Sequence, residues 1–434
     1  MRGGTKTGED RPRGLWGQLR RPPGGRDARI MLLAQFLDRS GTGVWAAGCV
    51  LYFTFVIGLD ARQLGVLLGA AGVAGIAGSP LAGHLAGRFP VRRLLIAAHL
   101  LRLGTLCALL VVTRYEVLLA VVALTHLGDR AAKTLEMLFA TRVAGERRAT
   151  YQALARSSAN AGYALGAGVA AIGLAVGTRE AYQALILANA LSFLAAAILV
   201  RRTGELREPG RVAARTGGPT DRPPAPSSPW RDRGYLRFVL LDIPMNLDDS
   251  ILSVGLPLWL VTRTDAPHAL VPAFLVINTV LVVALQLRVS ARVGQPRQAA
   301  GTVAVYGLTL SACCVLLALS TGAGAWAASA GLLLAAVLAT AAELMRSVSS
   351  WELAVSLAPE RARASYLGVA GMSQSVQKSA GPLLLTGAVM PAGPAGWIVL
   401  GAAVTALSVV QRGSALRRLR AMDASAPETV KHPA

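Results

Sequence analysis

Long apolar stretches alternate with short polar segments along almost the whole chain. Each stretch has about 20 residues or more, which is the length that a helix needs to cross the hydrocarbon core of a bilayer. The pattern predicts twelve membrane-spanning segments, at residues 30–58, 63–86, 93–113, 115–140, 151–177, 181–202, 236–262, 268–291, 298–320, 323–346, 365–388 and 391–411. We therefore predict an all-α integral membrane protein and exclude an ordinary water-soluble fold.

The composition supports this prediction. The chain has 434 residues, of which 53% are hydrophobic and 15% are charged, and its mean hydropathy is +0.49. A long basic tail precedes the first apolar stretch, and no small-residue cleavage site follows it. We therefore expect the stretch to remain as the first span and not to be removed as a signal peptide.

The net charge of +21 would suggest a nucleic-acid partner in a soluble chain. Here 33 of the 44 Lys and Arg residues fall in the tails and in alternate connections, whereas four fall in the other connections and seven within spans. Short cytoplasmic loops are rich in Lys and Arg. We predict that both termini are cytoplasmic and that the basic surface meets anionic inner-leaflet lipid, with no nucleic-acid role. The preference for Arg over Lys favours the plasma membrane of a bacterium.

The two halves of the chain resemble each other. Residue pairs at one constant offset recur at the starts of the fifth and eleventh spans, among them Tyr151 and Tyr366, and Gly166 and Gly381. Parallel repeats place a substrate site near the midplane between the halves. We predict a transporter with a basic tail at 1–29, a six-helix bundle at 30–202, a cytoplasmic linker at 203–233, a second six-helix bundle at 234–412 and a tail at 413–434.

The connection between the second and third spans resembles the signature G-x-x-x-D-R-x-G-R-[RK] of the major facilitator superfamily. Its matching residues are Gly83, Arg88, Arg92 and Arg93, and Gly87 stands at the acidic position. The resemblance implies twelve transmembrane helices in two pseudo-symmetric six-helix bundles and a conformational-switch loop at this connection. In the family the acidic residue helps to hold the outward-open state, so this chain lacks the acid of that latch.

Two further segments resemble elements of proton-coupled exporters in the same family. Arg130 in the fourth span matches an R-x-x-x-G element in which Thr134 replaces the glycine, and residues 162–168 resemble a glycine-rich segment of drug antiporters. The resemblance favours export of a drug-like or secondary-metabolite compound. Uptake of a nutrient or metabolite is the alternative within this class.

Ionisable residues inside spans are costly in lipid and point to function or to structural ion pairs. A proton-coupled transporter needs a carboxylate that binds and releases a proton and whose protonation changes the preferred conformation. The depth of Asp38, Asp242 and Asp249 makes them the proton-coupling candidates. The alternative is that they stabilise helix packing or bind a substrate cation.

The fourth span places Asp129, Lys133 and Glu136 along one stripe, which allows local ion pairs. Arg130 lies off this stripe, where it would face the cavity or pair with Asp38 or with an acid of the seventh span. Glu343 and Arg346 are expected near the inner interface, where long side chains reach the headgroups. The other embedded cations are Arg39, Arg102, Arg156 and Lys378.

The substrate-cavity candidates are Asp248, Arg130, Trp45, Tyr163 and Met245. Small residues with scattered acids would suit a bulky amphiphilic or cationic solute. Close glycines, such as Gly162 and Gly166 or Gly65 and Gly69, would allow helices to approach closely.

The four cysteines lie within apolar stretches, and the five histidines form no pair at metal-ligand spacing. We therefore expect no metal site, no cofactor and no enzyme activity, and a monomer that binds a small molecule and protons. The alternative from another class is a membrane enzyme in which Asp242, Asp248 and Asp249 hold a metal ion. That reading normally requires a second acidic cluster, which the first half does not supply.

Overall fold

The computed structural model describes residues 15–176, 178–204 and 228–424. Most of the predicted linker and about half of each predicted tail lie outside these residues. After a short helix at Leu15–Arg20, the described part consists of twelve helices with short 3-10 and π-helical turns between or within them. They are α1 Gly25–Leu51, α2 Ala61–Ala86, α3 Val91–Leu109, α4 Tyr115–Ala144, α5 Arg148–Val176, α6 Arg179–Arg201, the interrupted α7 from Arg233–Asp242 to Leu256–Arg263, α8 Val271–Arg292, α9 Pro296–Leu319, α10 Ala325–Ser356, α11 Arg363–Leu384 and α12 Gly393–Ala424.

Six of these helices are long and apolar enough to cross a membrane by length and composition, namely α2, α6, α8, α9, α10 and α12. The other six carry charged side chains within the helix or, in α7, are interrupted. Helix ends differ from the predicted spans by a few residues in most cases. The largest difference is in α12, which continues to Ala424, twelve residues past the predicted end of the second bundle.

The helices pack as two six-helix bundles with corresponding neighbours. In the first bundle α1 packs on α5, α2 on α4, and α3 on both α4 and α6. In the second bundle α7 packs on α11, α8 on α10, and α9 on both α10 and α12. Adding six to both helix numbers of a packing pair in the first bundle gives the corresponding packing pair in the second. This correspondence is the tertiary form of the internal sequence repeat.

The helices run alternately between two ends of the molecule. We call the end at which α1 begins and α2 finishes the basic end, because the Arg-rich connections lie there, and the other the opposite end. Local signals explain several boundaries. Asp60 caps α2 by accepting from the Gln63 amide at 2.8 Å, and the Gln63 side chain accepts from the Asp60 amide. Such a reciprocal capping box satisfies amides that a helix start leaves free.

Glycine lets α5 pack closely against α1. A Cβ at Gly162 would overlap the carbonyl oxygen of Phe36, and a Cβ at Gly166 would overlap that of Ser40. The expectation of close approach is therefore confirmed for this pair. It is wrong for Gly65 and Gly69, which face open space because α2 turns that side away from its neighbours.

The interruption of α7 follows from its sequence. Pro244 has no amide hydrogen, so the regular α-helix stops at Asp242 and continues as a 3-10 turn at Pro244–Asn246. The turn releases the carbonyl of Asp242, which then accepts from the side-chain amide of Asn246. A π-helical turn at Ile251–Gly255 follows before the last segment. The interruption places three acidic residues in three different surroundings.

An ion pair at the basic end joins the start of α7 to the extended α12. Asp232 accepts from both terminal nitrogens of Arg418, at 2.6 and 2.7 Å, and from the Tyr366 hydroxyl at 3.0 Å. Hydrogen bonding to Arg418, assisted by the Tyr235 amide, lowers the pKa of Asp232 to about 2. Arg418 also donates to the carbonyl of Leu357, at the end of α10, at 3.0 Å, so this one residue ties α7, α10 and α12 together.

Candidate functional site

A cavity of about 880 Å³ lies between the two bundles. Its volume falls in the range of pockets that hold drug-sized ligands. Ten ionisable side chains line it, and they are Arg39, Arg130, Lys133, Glu136, Arg156, Asp242, Asp249, Glu343, Arg346 and Lys378. Its aromatic lining residues are Tyr163, Phe274 and Trp351. The wall is therefore far richer in charge than an apolar drug-binding pocket.

Asp38 is the innermost acid of the first bundle and does not line the cavity. It is completely buried, and its Oδ1 lies 2.6 Å from an Arg102 terminal nitrogen. The Arg102 guanidinium also stacks over the Phe193 ring, 3.8 Å from its centroid. Asp38 and Arg102 thus form a buried pair held by α1, α3 and α6.

The remaining charges of the first bundle surround Arg39, which connects α1 to α4. Its guanidinium lies 3.6 Å from Asp129 and 3.5 Å from Glu136. Asp129 also pairs with Lys133 at 2.7 Å, one turn further along α4. The predicted local pair on the α4 stripe is thus present, whereas Glu136 turns to α1 instead of Lys133.

Arg130 lies at the edge of this network and faces the second bundle. It donates to the side-chain oxygen of Gln374 on α11 at 3.3 Å, and its Nε lies 3.9 Å from Asp129. Asp129 is already engaged at shorter distance by Lys133 and Arg102. Arg130 therefore brings an incompletely neutralised positive charge to the cavity wall.

Asp242 in the second bundle is a buried acid that is held by hydroxyl and amide groups. It is 4% exposed and accepts hydrogen bonds from Ser350 on α10 at 2.9 Å, Ser373 on α11 at 2.6 Å and Gln411 on α12 at 3.5 Å. No Lys or Arg among the described residues lies within 4 Å of its carboxylate. Hydroxyl and amide groups alone thus satisfy this buried acid.

The other two acids of α7 have basic partners. Asp248 is completely buried, pairs with Arg346 at 3.0 Å and accepts from the Tyr306 hydroxyl at 3.2 Å. Asp249 is partly exposed to the cavity and lies 3.4 Å from Lys378. Asp242, Asp248 and Asp249 therefore have separate partners and do not converge on one point, which disfavours the metal-enzyme alternative.

Two ion pairs join α5 of the first bundle to α10 of the second. Arg148 donates to both carboxylate oxygens of Glu352, at 2.6 and 3.0 Å, at the basic end. Deeper in the molecule, Arg156 pairs with Glu343, which also accepts from the Asn278 amide on α8. Among the described residues, hydrogen bonds between the bundles lie at mid-height and toward the basic end, so the bundles are in contact there.

A family model described as Major Facilitator Superfamily matches residues 31–382. This chain belongs to the major facilitator superfamily. The match includes all of the first bundle beyond the start of α1 and most of the second. The protein is therefore a multi-pass membrane transporter with a small-molecule substrate, and the resemblance drawn from its motifs is confirmed.

Solved structures of major facilitator transporters share its fold. A bacterial homologue of the iron transporter ferroportin, in an outward-facing state with soaked iron, is 16% identical with a TM-score of 0.68 over 91% of this chain and 99% of that one. The transporter FucP in its outward conformation is 14% identical with a TM-score of 0.66 over 89% and 98%. The human organic anion transporter MFSD10 is 14% identical with a TM-score of 0.60 over 92% and 99%. No curated protein matches the sequence.

The major facilitator fold separates the three predicted proton-coupling residues. Asp242 and Asp249 line the cavity, whereas Asp38 is buried behind it. Asp38 pairs with Arg102, which the sequence reasoning treated only as another embedded charge. The suggested pairing of Asp38 with Arg130 does not occur, because Arg130 points across to α11.

The predicted cavity residues divide in the same way. Arg130 and Tyr163 line the cavity. Asp248 and Met245 are buried outside it, and Trp45 packs edge-on against Tyr52 and Phe53, with ring centroids 5.8 Å apart in both cases. Asp248 meets Tyr306 and Arg346 of its own bundle, and Trp45 meets rings at the end of its own helix, contacts that helical periodicity alone does not specify.

The loop that resembles the family signature lies at the basic end. Gly83 meets Gly368 of α11 in the other bundle. Arg92 donates to the carbonyl of Thr203 at 2.8 Å, and Arg88 and Arg93 are exposed. The switch role of these residues stays a prediction, but Gly83 stands where movement between the bundles would change its contacts.

Sequence reasoning missed several residues around the site. Ser350, Ser373 and Gln411 surround Asp242, and the run of hydroxyl residues in α10 and α11 was the available signal. The expectation that Glu343 and Arg346 reach toward headgroups is wrong. Both are buried at the cavity, because each meets an oppositely charged partner there.

Proposed function

We propose that this transporter exports a small organic solute, drug-like or a secondary metabolite, in exchange for protons by alternating access. The observation that carries the proposal is Asp242, a buried carboxylate at the cavity with no basic partner among the described residues. The protein has no ion pair to break when this group takes up a proton. Asp38 and Asp249 would each have to leave an arginine or a lysine uncompensated.

The surroundings of Asp242 link its proton to conformation. Its partners Ser350, Ser373 and Gln411 lie on α10, α11 and α12, and Asn246 belongs to the interruption of α7. Arg346 on α10 is engaged by Asp248 and Asn246. Protonation removes a charge at a point where four helices meet, so it changes how these helices pack and biases the equilibrium between conformations.

The contacts between the bundles indicate which conformation is present. The ion pairs of α5 with α10 hold the basic end closed, and the positive-inside rule assigns that end to the cytoplasm. We therefore infer a state closed to the cytoplasm, in the plasma membrane of a bacterium, with both termini inside and anionic lipid around the basic end. We take the protein to act as a monomer. Export follows from the Arg130 and glycine-rich elements that resemble proton-coupled exporters.

The proposal is tested with the full chain reconstituted in proteoliposomes. Movement of amphiphilic cationic dyes and of aminocarboxylic acids is measured in both directions under an imposed pH gradient. The direction of net movement tests export against uptake. In Asp242→Asn we expect gradient-driven transport to disappear while gradient-independent exchange of the same compound continues. Asp265→Asn, at an exposed position of the opposite end, is the matched control. Full gradient-driven transport by Asp242→Asn would contradict the proposal.

A further inference from the structure

The embedded charges are divided unequally between the two bundles. The first bundle holds the acids Asp38, Asp129 and Glu136 and the bases Arg39, Arg102, Arg130, Lys133 and Arg156. The second holds the acids Asp242, Asp248, Asp249 and Glu343 and the bases Arg346 and Lys378. With all groups ionised, the membrane-embedded parts of the bundles carry +2 and −2. The cavity therefore lies between a positive wall and a negative wall.

The ion pairs do not cancel this division completely. The pair of Arg156 with Glu343 crosses between the bundles and removes one charge from each side. The other pairs formed by these embedded charges lie within one bundle. The least neutralised groups are Arg130, whose closest contact is the neutral Gln374, and Asp242, whose partners are hydroxyls and amides.

These two groups are presented to the same cavity by neighbouring residues of α11. Gln374 contacts Arg130, and the adjacent residue Ser373 contacts Asp242. Both charged side chains also line the cavity directly. One solute of moderate length therefore has access to the incompletely neutralised positive charge of Arg130 and to the carboxylate of Asp242, on opposite bundles and beside adjacent residues of α11.

Incompletely neutralised charges on a cavity wall of lower dielectric constant than water are stabilised by a ligand of complementary charge more strongly than they would be in bulk water. A purely cationic solute would satisfy Asp242 but leave Arg130 facing a second positive charge. A purely anionic solute would do the reverse, and an apolar solute would desolvate both. A solute with one group of each sign satisfies both walls and also draws the bundles together.

We propose that the transported solute carries both an anionic group, bound at Arg130, and a cationic group, bound at Asp242. This inference rests on the proposed transport function and names its substrate class. It also departs from the bulky cationic solute that the sequence predicts. The carboxylate or a similar anion replaces Gln374 as the partner of Arg130, and an ammonium group joins Ser350 and Ser373 at Asp242.

The test uses ω-aminocarboxylic acids of increasing chain length, together with their methyl esters, which are cations, and their N-acetyl derivatives, which are anions. Binding is measured by ligand-induced thermal stabilisation of the full chain in nanodiscs, with no gradient present. We expect one or more zwitterions to bind at least about tenfold more tightly than either derivative, the effect of losing a charged hydrogen bond. The chain length that binds best reports the spacing of the two sites.

Two variants assign each group of the ligand to a wall. Arg130→Gln is expected to weaken binding of the zwitterion and of the N-acetyl anion by about tenfold or more and to leave binding of the methyl ester unchanged. Asp242→Asn is expected to weaken binding of the zwitterion and of the methyl ester and to leave binding of the N-acetyl anion unchanged. Arg130→Lys retains the charge and should retain selectivity. Arg292→Gln, an exposed arginine at the basic end, is the matched control.

The inference is overturned if the methyl esters bind as tightly as the parent acids, if Arg130→Gln weakens acid and ester equally, or if no zwitterion of the series binds. These results leave the proposed function intact whenever a pH gradient still drives another compound. Conversely, selective zwitterion binding without gradient-driven transport would refute proton coupling and support the substrate class. The melting temperature of each variant without ligand distinguishes loss of binding from loss of the fold.

Discussion

At the scale of single residues, the buried carboxylates of this transporter differ in what neutralises them. Asp38 and Asp248 are completely buried and each faces an arginine, at 2.6 and 3.0 Å. Asp242 is buried among hydroxyl and amide groups. A carboxylate with an arginine partner is a poor proton carrier, because protonation leaves the arginine as an isolated buried charge. The same residue type is thus neutralised by an arginine at two positions and held by hydroxyl and amide groups at another.

We predict that Asp38→Asn destabilises the protein without uncoupling transport. The substitution leaves Arg102 buried without its closest partner, and breaking a buried pair in this way costs about 3–5 kcal/mol. The free energy of unfolding in mixed micelles measures the loss, and Asp265→Asn serves as the control. A double variant with Arg102→Leu should recover part of the stability. Loss of proton coupling in a fully stable Asp38→Asn protein would refute the structural role.

A second residue-scale prediction concerns the pH dependence of stability at the basic end. Because Arg418 lowers the pKa of Asp232 from 3.8 to about 2, the ionised form is favoured by folding. Its contribution is fully present above pH 3.8 and is lost as the pH falls through about 2. The difference in melting temperature between the wild type and Asp232→Asn should therefore shrink across this interval. A difference that stays constant down to pH 2 would contradict the assignment.

At the scale of elements, α2 and α11 cross between the bundles at a pair of glycines. A Cβ at Gly83 would lie 2.6 Å from the carbonyl oxygen of Ala364 and 2.8 Å from the Cα of Gly368. Both are backbone atoms, which cannot move aside without shifting a helix. The chain lacks the acid of the family latch at Gly87, and close backbone packing at Gly83 brings the bundles together here.

We predict that Gly83→Leu separates the bundles at the basic end. Spin labels on Phe89→Cys and Gln295→Cys, exposed at that end of the first and second bundles, report the change when Cys49 and Cys107 are replaced by Ala. The distance distribution should shift to longer values. Gly69→Leu, a substitution on the same helix that faces open space, should leave it unchanged. An unaltered distribution in Gly83→Leu would show that this crossing does not hold the bundles together.

At the scale of the whole molecule, α5 and α10 form the charged part of the contact between the bundles. The pair of Arg148 with Glu352 lies at the basic end, and the pair of Arg156 with Glu343 lies at the cavity wall. One partner of each pair belongs to each bundle. Rotation of the bundles that opens the basic end would separate Arg148 from Glu352, so we expect this outer pair to influence the balance between the two conformations.

We predict that Arg148→Glu favours the form open at the basic end, because two carboxylates then face each other. The distance distribution of the same spin-label pair should shift to longer values in this variant and also in Glu352→Arg. The double variant restores an ion pair with reversed polarity and should return the distribution toward that of the wild type. If both single variants and the double variant behave alike, the pair has no role in closing this end.

The sequence by itself determined the twelve spans, the internal repeat and the end at which the arginines gather. These features depend on the hydrophobicity of each stretch and on helical hydrogen bonds, which join residues close together in the chain. Both are therefore specified by the residues of the stretch itself. It also put Asp242, Asp249, Arg130 and Tyr163 within predicted spans, and these four residues line the cavity.

Only the tertiary structure decided which charge meets which. Asp38 pairs with Arg102, not Arg130, and Asp242 forms no ion pair with the Lys and Arg side chains that the structure describes, although Asp248 and Asp249 do. Helical periodicity specifies the face on which a side chain lies but not the helix that covers this face. The partners come from helices far apart in the chain, and their packing decides whether a buried acid is neutralised or left available to a proton or a substrate.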